Sequence, residues 1–591
     1  MVKDWDRASI RIALAYPDLY EIGMSNTALP ILYDLLNSQS DVLAERVFAP
    51  WVDMSKAMQQ AGVPLFSLES RHPLKDFDAI GFSLGYELTY TNVLNMLHLA
   101  QVPLLAGERN DSHPIIMAGG SAALNPEPMA DFIDFFVLGD GEEVLLQLLD
   151  SLRSWKGRGR RIARRELLNQ VANIPGVYVP GLYQVEYRAD GLLKSITPAI
   201  AQAPTSIKRR VVSKLPPPVT RPVVPYIEAV HDRGVVEIQR GCSRGCRFCQ
   251  AGMIYRPVRE RPQEEVISAV GELIANCGYD DVSLLSLSTS DYSGIDELVS
   301  AIAHRYQNIR LSLPSLRIDS FSVALVDSLS FQRKTGLTFA PEAGSQRLRQ
   351  VINKNTTEEE ILETATIAFD RGWRGLKLYF MLGLPTESTE DVDGICRLVN
   401  KIYSLGKQTK GGQPQLRVSV SSFVPKPHTP FQWVAQESEA QLDSKHELLK
   451  QGLRRSGIRL SWQDPKVSLL EAALSRGDRR LGKVIYGAWK LGSIFDAWSE
   501  HFNYGNWARA FEESGLEPGV YALRQRALDE LLPWSHIDAG VTTAFLKQEY
   551  YRAQDGKVTP DCRHDACNAC GLELGHEGCQ RKCQGLTHRQ Q

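Results

Sequence analysis

The stretch Arg240-Gly-Cys-Ser-Arg-Gly-Cys-Arg-Phe-Cys-Gln250 follows the apolar run Val235-Val-Glu-Ile238, which has the pattern of a buried strand. Its cysteines, Cys242, Cys246 and Cys249, have the spacing C-x3-C-x2-C. Three thiolates can bind three irons of a four-iron cluster. Because such clusters normally take four cysteine ligands, the fourth iron then stays open for a substrate. A zinc knuckle whose fourth ligand is a histidine such as His231 is the alternative.

Length and composition describe a globular protein of several domains. The chain has 591 residues, a net charge of −2 and 43% hydrophobic residues. It is too long for one core, so we expect roughly three or four domains. No apolar run approaches the roughly 20 residues of a membrane-spanning helix, and residues 1–7 lack the apolar core of a signal peptide. We therefore expect a cytoplasmic protein without membrane association.

The ten cysteines are clustered. Three form the central motif, and a further five lie near the end of the chain, at Cys562, Cys567, Cys570, Cys579 and Cys583. Clustered cysteines in a cytosolic chain indicate metal ligands rather than disulfides. Cys277 and Cys396 stand alone, and we expect them to be small core residues.

Residues 226–460 alternate between apolar strands and amphipathic helices. The predicted strands are Val235–Gln239, Val282–Ser288, Arg310–Leu313, Gly336–Phe339, Gly375–Phe380 and Arg417–Phe423. Thr356 or Thr357, with Glu359 or Glu360 three residues later, predicts a capping box at the start of one of the helices. Six βα repeats predict a partial (β/α)6 TIM-like barrel, in which chemistry takes place at the carboxyl ends of the strands. The three-cysteine loop follows the first strand and therefore lies where such a barrel has its active site.

Residues 1–150 predict a Rossmann-like α/β domain with a mostly parallel sheet. Its third strand ends in Gly119 and Gly120, and its fourth is followed by Gly139. Ligands of such sheets bind beyond the carboxyl ends of the strands, so these glycines are candidates for ligand contact. Ordinary tight turns explain them equally well.

The remaining segments connect or follow these two domains. Residues 151–225 contain a strongly basic run at 156–165, a hairpin predicted from 177–179 and 183–187, and a proline-rich linker. The basic run is typical of a solvated helix face, with a phosphate-binding patch as the alternative. Residues 461–550 have helical spacing at 467–474, 481–491, 494–501 and 521–531 and predict a cap region. Residues 551–591 form a Cys-rich tail.

The central motif, with Phe248 before its last cysteine, resembles the radical S-adenosylmethionine (radical SAM) superfamily. Ala340-Pro-Glu-Ala-Gly-Ser345 and Gly383-Leu-Pro-Thr-Glu387 resemble further family motifs. The resemblance implies an enzyme that cleaves S-adenosylmethionine with a reduced 4Fe-4S cluster. It also implies an external flavodoxin- or ferredoxin-like electron donor. The alternative function is a non-enzymatic zinc- or cluster-bearing scaffold for RNA or a protein.

The resemblance also suggests roles for residues at the other strand ends. By position, Ser288 and Ser290 match the stretch that binds the amino group of S-adenosylmethionine. Ser315 and Arg317 are candidates for its carboxylate or ribose, because Arg suits bidentate carboxylate binding. The remaining candidates are Glu342 for a polar contact with the cofactor and, for substrate contact or proton transfer, Lys426 and His428.

The first 150 residues resemble the cobalamin-binding-like domain that precedes the barrel in one radical SAM class. The matching pieces are Ala118-Gly-Gly-Ser121, Asn125-Pro-Glu-Pro128 and Val137-Leu-Gly-Asp-Gly-Glu142. The family's cobalt-ligating histidine is absent from the loop Asp18-Leu-Tyr-Glu-Ile-Gly23. Cobalamin binding without a protein ligand, with Gly119 and Gly120 in contact, and a vestigial Rossmann fold are both compatible with this pattern.

The tail and the substrate leave more than one interpretation open. Thiolate-rich ligation by the tail suits a structural zinc ion, which tolerates irregular spacing, or an auxiliary iron–sulfur cluster. A redox-active tail is a third interpretation. The basic run at 156–165 is compatible with an RNA or phosphorylated substrate. Bound cobalamin would favour methyl transfer. Hydrogen abstraction leading to rearrangement, cyclisation or sulfur insertion is the expectation without it.

Overall fold

The computed structural model describes residues 3–157, 163–306, 309–315, 317–318, 337–409, 413–565, 567–568 and 570–571. The strands are β1 Ile10–Tyr16, β2 Val42–Phe48, β3 Ala79–Ser83, β4 Ile115–Gly119, β5 Phe135–Val137, β6 Val177–Tyr178, β7 Tyr183–Tyr187, β8 Leu193–Pro198, β9 Ile207–Lys208, β10 Gly234–Glu237, β11 Gln239–Arg240, β12 Arg259–Glu260, β13 Asp281–Leu285, β14 Arg310–Ser312, β15 Leu337–Glu342, β16 Gly375–Leu382, β17 Gln415–Ser422, β18 Ile458–Trp462 and β19 Ile537–Asp538.

The helices are α1 Tyr20–Gly23, α2 Ala28–Asn37, α3 Val52–Ala61, α4 Tyr90–Leu99, α5 Glu142–Lys156, α6 Arg164–Val171, α7 Gln250–Ile254, α8 Gln263–Cys277, α9 Ile295–Arg305, α10 Gln346–Val351, α11 Glu358–Asp370, α12 Thr389–Gln408, α13 Glu439–Gly452, α14 Pro465–Ser475, α15 Leu481–Lys490, α16 Tyr504–Glu513, α17 Pro518–Ala522 and α18 Thr543–Gln554. In the described ranges, no helix is both long enough and apolar enough to cross a bilayer.

The chain divides into two compact units. Unit 1 contains Met1–Asp232, Ala473–Tyr521 and Asp529–Gly540, and unit 2 contains the remaining residues. The helical region predicted at 461–550 is therefore not one domain, because its larger part belongs to unit 1 and its last residues belong to unit 2. The two helices expected at 494–501 and 521–531 are also absent from the structure as continuous helices.

Unit 1 is built on a six-stranded sheet in the order β2-β1-β3-β4-β5-β6. Strands β1 to β5 are parallel, whereas β6 pairs antiparallel with β5. The prediction of a Rossmann-like sheet is confirmed, and β2 is a strand that the sequence analysis missed. Every residue of β2 is buried, as expected for a strand that helices cover on both faces.

Two local predictions for residues 151–225 are wrong. Residues 177–179 form no hairpin with 183–187, because β6 extends the main sheet and β7 pairs with β8. The basic run is also not simply a solvated face. Lys156 forms an ion pair of 2.6 Å with Asp78, and the buried Arg164 binds Asp134. Arg158, Arg160 and Arg161 lie outside the described residues.

Unit 2 contains two parallel sheets, β10-β13-β14 and β15-β16-β17-β18. Helices follow the strands in the alternating order that the sequence predicts, and all six predicted strands are present. Strand β18 is a seventh that was not predicted. Each sheet has its own apolar core, formed with α8 and α9 in the first case and with α11 to α13 in the second.

Helix α11 begins at the expected capping box. The side chain of Thr357 accepts the backbone N–H of Glu360, while the carboxylate of Glu360 accepts the N–H of Thr357. Two of the N–H groups that a helix start leaves unpaired are thereby satisfied. The cap sets where α11, the second of the two helices between β15 and β16, begins.

Unit 1 also contains a buried polar cluster of Glu127, Tyr178, Arg479 and His536. The guanidinium of Arg479 lies 2.9 Å from the Glu127 carboxylate and donates to the Tyr178 hydroxyl. The side chain of His536 is 3% exposed. Burial, and secondarily the charge of Arg479, lowers the pKa of His536 to about 3.

This histidine makes the stability of unit 1 depend on pH. Because the folded-state pKa of about 3 lies below the ordinary 6.5, its contribution is present above pH 6.5 and is lost as the pH falls. We expect unit 1 to lose about 2 kcal/mol of unfolding free energy between pH 7 and pH 5 through this group. Urea unfolding followed by hydrogen exchange of unit 1 peptides measures this loss.

A His536→Phe variant should lose this component of the pH dependence, because no buried imidazole then has to stay neutral. The exposed His98 provides the control, and His98→Phe should keep the dependence. Equal pH dependence of wild type and His536→Phe would contradict the prediction.

Candidate active site

The three-cysteine loop begins directly after β10 and β11 and ends at α7. Gly241 has φ +91°, and a Cβ there would lie 2.5 Å from the carbonyl oxygens of Tyr255 and Pro257. Only glycine allows this approach of two backbone segments. At the other end, the Cys249 sulfur accepts the backbone N–H of Gly252 at 3.3 Å and caps α7.

The three thiols lie on one short loop, and the charge of Cys246 acts on Cys242 and Cys249. Burial, followed by the charge of Cys246, raises the pKa of Cys242, and the same two causes raise the pKa of Cys249 to about 12. A bound cation reverses this preference, because a coordinating thiol loses its proton outright. All three are free cysteines, so the donor set on this loop fits iron.

The cysteine side chains do not form a metal site together with other ligands in the described residues. Across the described part of the chain, no three or more His, Cys, Asp or Glu side chains surround a common point as metal ligands do. The candidate zinc ligand His231 belongs to unit 1, whereas the cysteines belong to unit 2. The loop therefore supplies three thiols and no histidine from its own unit in the described residues.

Arg247 anchors the loop from within, and sequence reasoning missed it. Its side chain is fully buried and pairs with Glu549 at 3.0 Å. The same guanidinium donates to backbone carbonyls at the end of α10 and to the carbonyl of Lys557. Val351 and Glu549 are buried, so losing the guanidinium would remove a hydrogen-bond partner from a buried acceptor at both residues.

Asn353 forms a second anchor at the same side of the loop. Its amide donates to the carbonyls of Arg244 and Gly245 at 3.1 and 3.2 Å. It also exchanges two hydrogen bonds with the backbone of Thr559, at 3.0 and 2.8 Å. Asn353 has φ +56°, a conformation that Asn tolerates better than most residues. The segment 557–563 thus holds the loop through backbone atoms.

An ionic network connects the loop with the end of β13 and with the same segment. Arg244 donates to Asp291 at 2.9 Å and lies 3.5 Å from Asp561. Arg563 donates to the Asp291 carbonyl at 2.8 Å and pairs with Asp561 at 3.3 Å. Neighbouring guanidinium groups lower the pKa of Asp291 against its burial. The charges of two carboxylates and two guanidinium groups balance in this network.

The predicted residues after β13 and β14 lie next to one another. The Ser288 hydroxyl donates to Asp291 at 2.5 Å, and Ser290 accepts the backbone N–H of Arg317 at 3.1 Å. The Ser315 carbonyl accepts the N–H of Thr289. The charge of Arg317 opposes the rise in the pKa of Cys242 and contributes to the lowered pKa of Asp291. The structure thus brings Arg317 near the cysteine loop, while the two serines support the neighbouring backbone.

Glu342 follows the same pattern at the end of β15. It has φ +67°, an unusual conformation for a residue that is not glycine. Burial raises its pKa against the positive charges of Lys354, at 3.7 Å, and Arg317. Its charge in turn raises the pKa of Cys249. Glu342 therefore lies in the same electrostatic environment as the cysteines.

The other candidates have structural partners. Phe248 packs against the apolar cluster that includes Phe423 and Phe431. Lys426 forms an ion pair of 2.9 Å with Glu471. His428 is buried with φ +61°, and its backbone N–H donates to Gln432. The loop that carries Lys426 and His428 lies beside the cysteine loop, because the Pro427 carbonyl accepts the side-chain amide of Gln250 at 3.3 Å.

Three of the five tail cysteines lie in the described residues, and Cys579 and Cys583 lie outside them. Burial raises the pKa of Cys562, and the charges of Cys570 and Cys567 contribute to this shift. The Cys570 carbonyl accepts the N–H of Thr542 at 2.8 Å. The tail cysteines are therefore held against the start of α18 in unit 2.

Two family models match the chain. Residues 236–399 match the radical SAM superfamily, and residues 28–180 match the N-terminal domain of radical SAM proteins. The cysteine loop, β13 and Glu342 all fall within the first match. Unit 2 thus contains a radical SAM superfamily domain, and the prediction of a radical SAM enzyme is confirmed. The alternative of a non-enzymatic scaffold is not supported.

The similar proteins fall into two groups. An uncharacterized protein of Methanocaldococcus jannaschii is 27% identical over 85% of this chain and 97% of its own length. The tRNA-2-methylthio-N(6)-dimethylallyladenosine synthase of the Wolbachia of Brugia malayi is 26% identical over 30% of this chain and 44% of that protein. With this synthase, the chain shares less than half of the relative's length.

Solved structures are similar at a lower level. The radical SAM methyltransferase of Kitasatospora setae, solved with cobalamin and a 4Fe-4S cluster, has 15% identity and a TM-score of 0.49. The match covers 73% of this chain and 79% of that one. A TM-score below 0.5 does not establish a common arrangement, so the assignment above depends on the sequence families.

We expect the variant Arg247→Met to weaken the cysteine loop. Arg247→Met removes one partner of a buried ion pair and leaves the Glu549 carboxylate with only Arg552, at 3.6 Å, as counter-charge. The change should cost unit 2 about 3 kcal/mol of unfolding free energy. Urea unfolding followed by hydrogen exchange of unit 2 peptides measures this change. Iron content after anaerobic reconstitution should also fall.

Arg310→Met is the matched control in the same unit. Its ion pair with Asp280 has side chains that are 52% and 79% exposed, so its loss should change the unfolding free energy by less than about 1 kcal/mol. Unchanged stability and iron content in Arg247→Met would contradict the anchoring role.

Proposed function

We propose that this chain binds a 4Fe-4S cluster through Cys242, Cys246 and Cys249 and cleaves S-adenosylmethionine reductively. The observation that carries the proposal is the three-cysteine loop that follows β10 and β11, within the matched superfamily region. The three thiolates would hold the cluster, and the cluster would supply the one-electron reduction of the sulfonium, with a flavodoxin- or ferredoxin-like protein as the external electron donor.

The residues at the neighbouring strand ends would bind and orient S-adenosylmethionine. Arg317 offers a guanidinium near Cys242, suited to the carboxylate of the methionine part. Glu342, buried near Cys249, would accept a hydrogen bond from an amino or hydroxyl group. Ser288 and Ser290 would hold the loops that carry Asp291 and Arg317. Ser315 would line the same end of the strands.

Phe248, Lys426 and His428 would exclude water or contact the substrate. Phe248 packs against apolar core residues and would keep water away from the iron–sulfur cluster. Lys426 and His428 remain candidates for substrate contact, since their loop lies beside the cysteine loop. The ion pair with Glu471 would hold the Lys426 ammonium in one position until a substrate competes for it.

The reaction beyond radical formation belongs to one of two classes. One is methyl or methylthio transfer, which the names of similar proteins suggest. The other is hydrogen abstraction that starts a rearrangement or cyclisation. An RNA substrate is compatible with the tRNA enzyme among the relatives. However, Lys156 and Arg164 of the basic run already bind carboxylates within unit 1.

We also propose a second metal site in the tail, for zinc or an auxiliary iron–sulfur cluster. The charges of Cys570 and Cys567 contribute to the raised pKa of Cys562, and Cys579 and Cys583 would supply further ligands. Gly571 fits closely against Thr542, with φ +102° and a hypothetical Cβ 2.4 Å from the Thr542 methyl group. This close packing supports a fixed position for the thiols.

Replacing Cys242, Cys246 or Cys249 with alanine should abolish formation of 5′-deoxyadenosine. The loop then offers only two thiols, and the cluster loses a ligand that nothing nearby replaces. The product is measured after anaerobic reconstitution with iron, sulfide and dithionite. Cys396→Ala is the control, because this cysteine lies on α12 away from the loop, and it should keep full activity.

Undiminished 5′-deoxyadenosine formation by a reconstituted Cys246→Ala variant would overturn the proposed function. Loss of activity in Cys396→Ala as well would indicate a general folding defect, which circular dichroism of both variants detects. The comparison therefore separates loss of the cluster from loss of the fold.

Replacing Cys562, Cys567 and Cys570 together with serine tests the tail site separately. We expect the variant to lose one metal equivalent, or one cluster, in elemental analysis while its cysteine loop still binds about four irons. A metal content equal to that of the wild type would contradict the second site and would leave the first proposal intact.

A further inference from the structure

The carboxyl edge of the unit 1 sheet is covered by the chain itself. Residues 475–501, here called the edge segment, belong to unit 1. Strand order β2-β1-β3-β4-β5 places a topological switch point between β1 and β3, and ligands of such sheets bind in the crevice beyond these strand ends. The edge segment contacts the loops that follow β1, β2, β3 and β4.

The switch point itself is bridged by hydrogen bonds. The amide of Asn92, after β3, donates to the carbonyl of Pro17, after β1, at 2.8 Å. The oxygen of the same amide accepts the backbone N–H of Phe495 in the edge segment at 2.7 Å. Asn92 is 1% exposed, so both groups depend on this bridge for their partners.

A second set of contacts involves the loop after β1, where the related cobalamin domains have their cobalt ligand. The indole of Trp498 donates to the Asp18 carboxylate at 3.0 Å. Asp18 is 7% exposed. The side chain that contacts this loop is therefore Trp498, which belongs to the same unit.

Aromatic packing and a buried carboxylate extend the cover over the next loops. Trp51, after β2, packs against Phe495, Trp498 and His501 with ring centroids 4.7, 5.5 and 4.5 Å away. Asp496, 1% exposed, accepts the hydroxyl of Thr91 at 2.9 Å and the indole N–H of Trp507 at 3.0 Å. These buried polar groups are paired within the unit.

The loop after β4 is held by the first residues of the edge segment. The Asn125 amide donates to the carbonyls of Ser475 and Gly477 at 2.9 Å each. Arg479 pairs with Glu127 at 2.9 Å. These are the residues of the Asn-Pro-Glu-Pro stretch that resembles the cobalamin-domain family, and each is engaged by this chain's own atoms.

The glycines at the edge also have partners from the chain. A Cβ on Gly120, at φ +113°, would lie 2.3 Å from the Leu84 carbonyl oxygen. A Cβ on Gly119 would lie 3.2 Å from the Val137 carbonyl oxygen, and one on Gly139 would lie 2.1 Å from that of Arg210. The close approach of these backbones requires glycine at positions 120 and 139, whatever ligand is present, whereas at position 119 a side chain would need only a small shift of the neighbouring backbone.

We infer that the edge segment occupies the ligand crevice of the N-terminal domain, and that this domain does not bind cobalamin. The residues that a corrin would need to contact fit one another and leave the cofactor no place at the strand ends. This inference rests on the proposed function and narrows it. Cleavage of S-adenosylmethionine would proceed without cobalamin, in reactions that begin with hydrogen abstraction from the substrate.

Two measurements on the anaerobically reconstituted full chain test the inference. After incubation with hydroxocobalamin and gel filtration, the protein should retain no corrin absorbance, and added cobalamin should not change the yield of 5′-deoxyadenosine. Retention of one corrin per chain would overturn the inference. Absence of 5′-deoxyadenosine in all samples would instead reject the proposed function, and the corrin measurement would still decide the present inference.

Hydrogen exchange supplies a readout that does not depend on activity. The peptide covering residues 493–498 should exchange slowly, at a rate that cobalamin does not change. Asn92→Ala should accelerate its exchange at least about tenfold, as expected for a loss of more than 1.4 kcal/mol. Asn173→Ala, at an exposed position of the same unit, should not. Fast exchange in the wild type would overturn the inference.

Discussion

The buried guanidinium of Arg247 is the contact on which the geometry of the cysteine loop depends. It lies between the second and third cysteines in sequence and pairs with Glu549, far away in the chain. A charge in this position is tolerated only because it is paired and hydrogen-bonded. The end of α10, Glu549 of α18 and segment 557–563 therefore have to assemble with the loop, since each supplies an acceptor for the Arg247 side chain.

This dependence explains what could be predicted from the sequence. The cysteine spacing, the alternating strands and the capping box of α11 are local patterns, and the structure contains the predicted strands and the predicted cap. Asn353, Asp291 and Thr559 were not predicted as parts of the site. Their partners are distant in sequence, and a single Asn, Asp or Thr has no periodicity that could indicate a contact.

Strand β18 and the cap region show a second kind of limit. The pattern of β18 is mostly intermediate or exposed, so it lacks the apolar run by which the other strands were found. Helical periodicity in residues 461–550 correctly indicated α15 but gave no information on which core each helix joins. Burial of a helix face is a property of its partner, and residues 473–521 pack in unit 1.

The glycines of the two units illustrate why a motif alone cannot assign a ligand. A positive φ has either of two causes, a close approach of another backbone or a path that a ligand requires. At Gly120 and Gly241 the first cause is sufficient, because a Cβ would lie within 2.5 Å of a carbonyl oxygen of the same unit. At Gly245 the nearest atoms are side-chain nitrogens of Asn353 and Arg256, at 3.2 and 3.5 Å. A side chain there would meet the Asn353 amide, which its hydrogen bonds to the loop hold in place, and the guanidinium of Arg256, but no neighbouring backbone within 3.5 Å. Among these three, the cysteine-loop glycine Gly245 is thus the one whose conformation the packing of neighbouring backbone does not require, which is the behaviour expected of a loop shaped to surround a cluster.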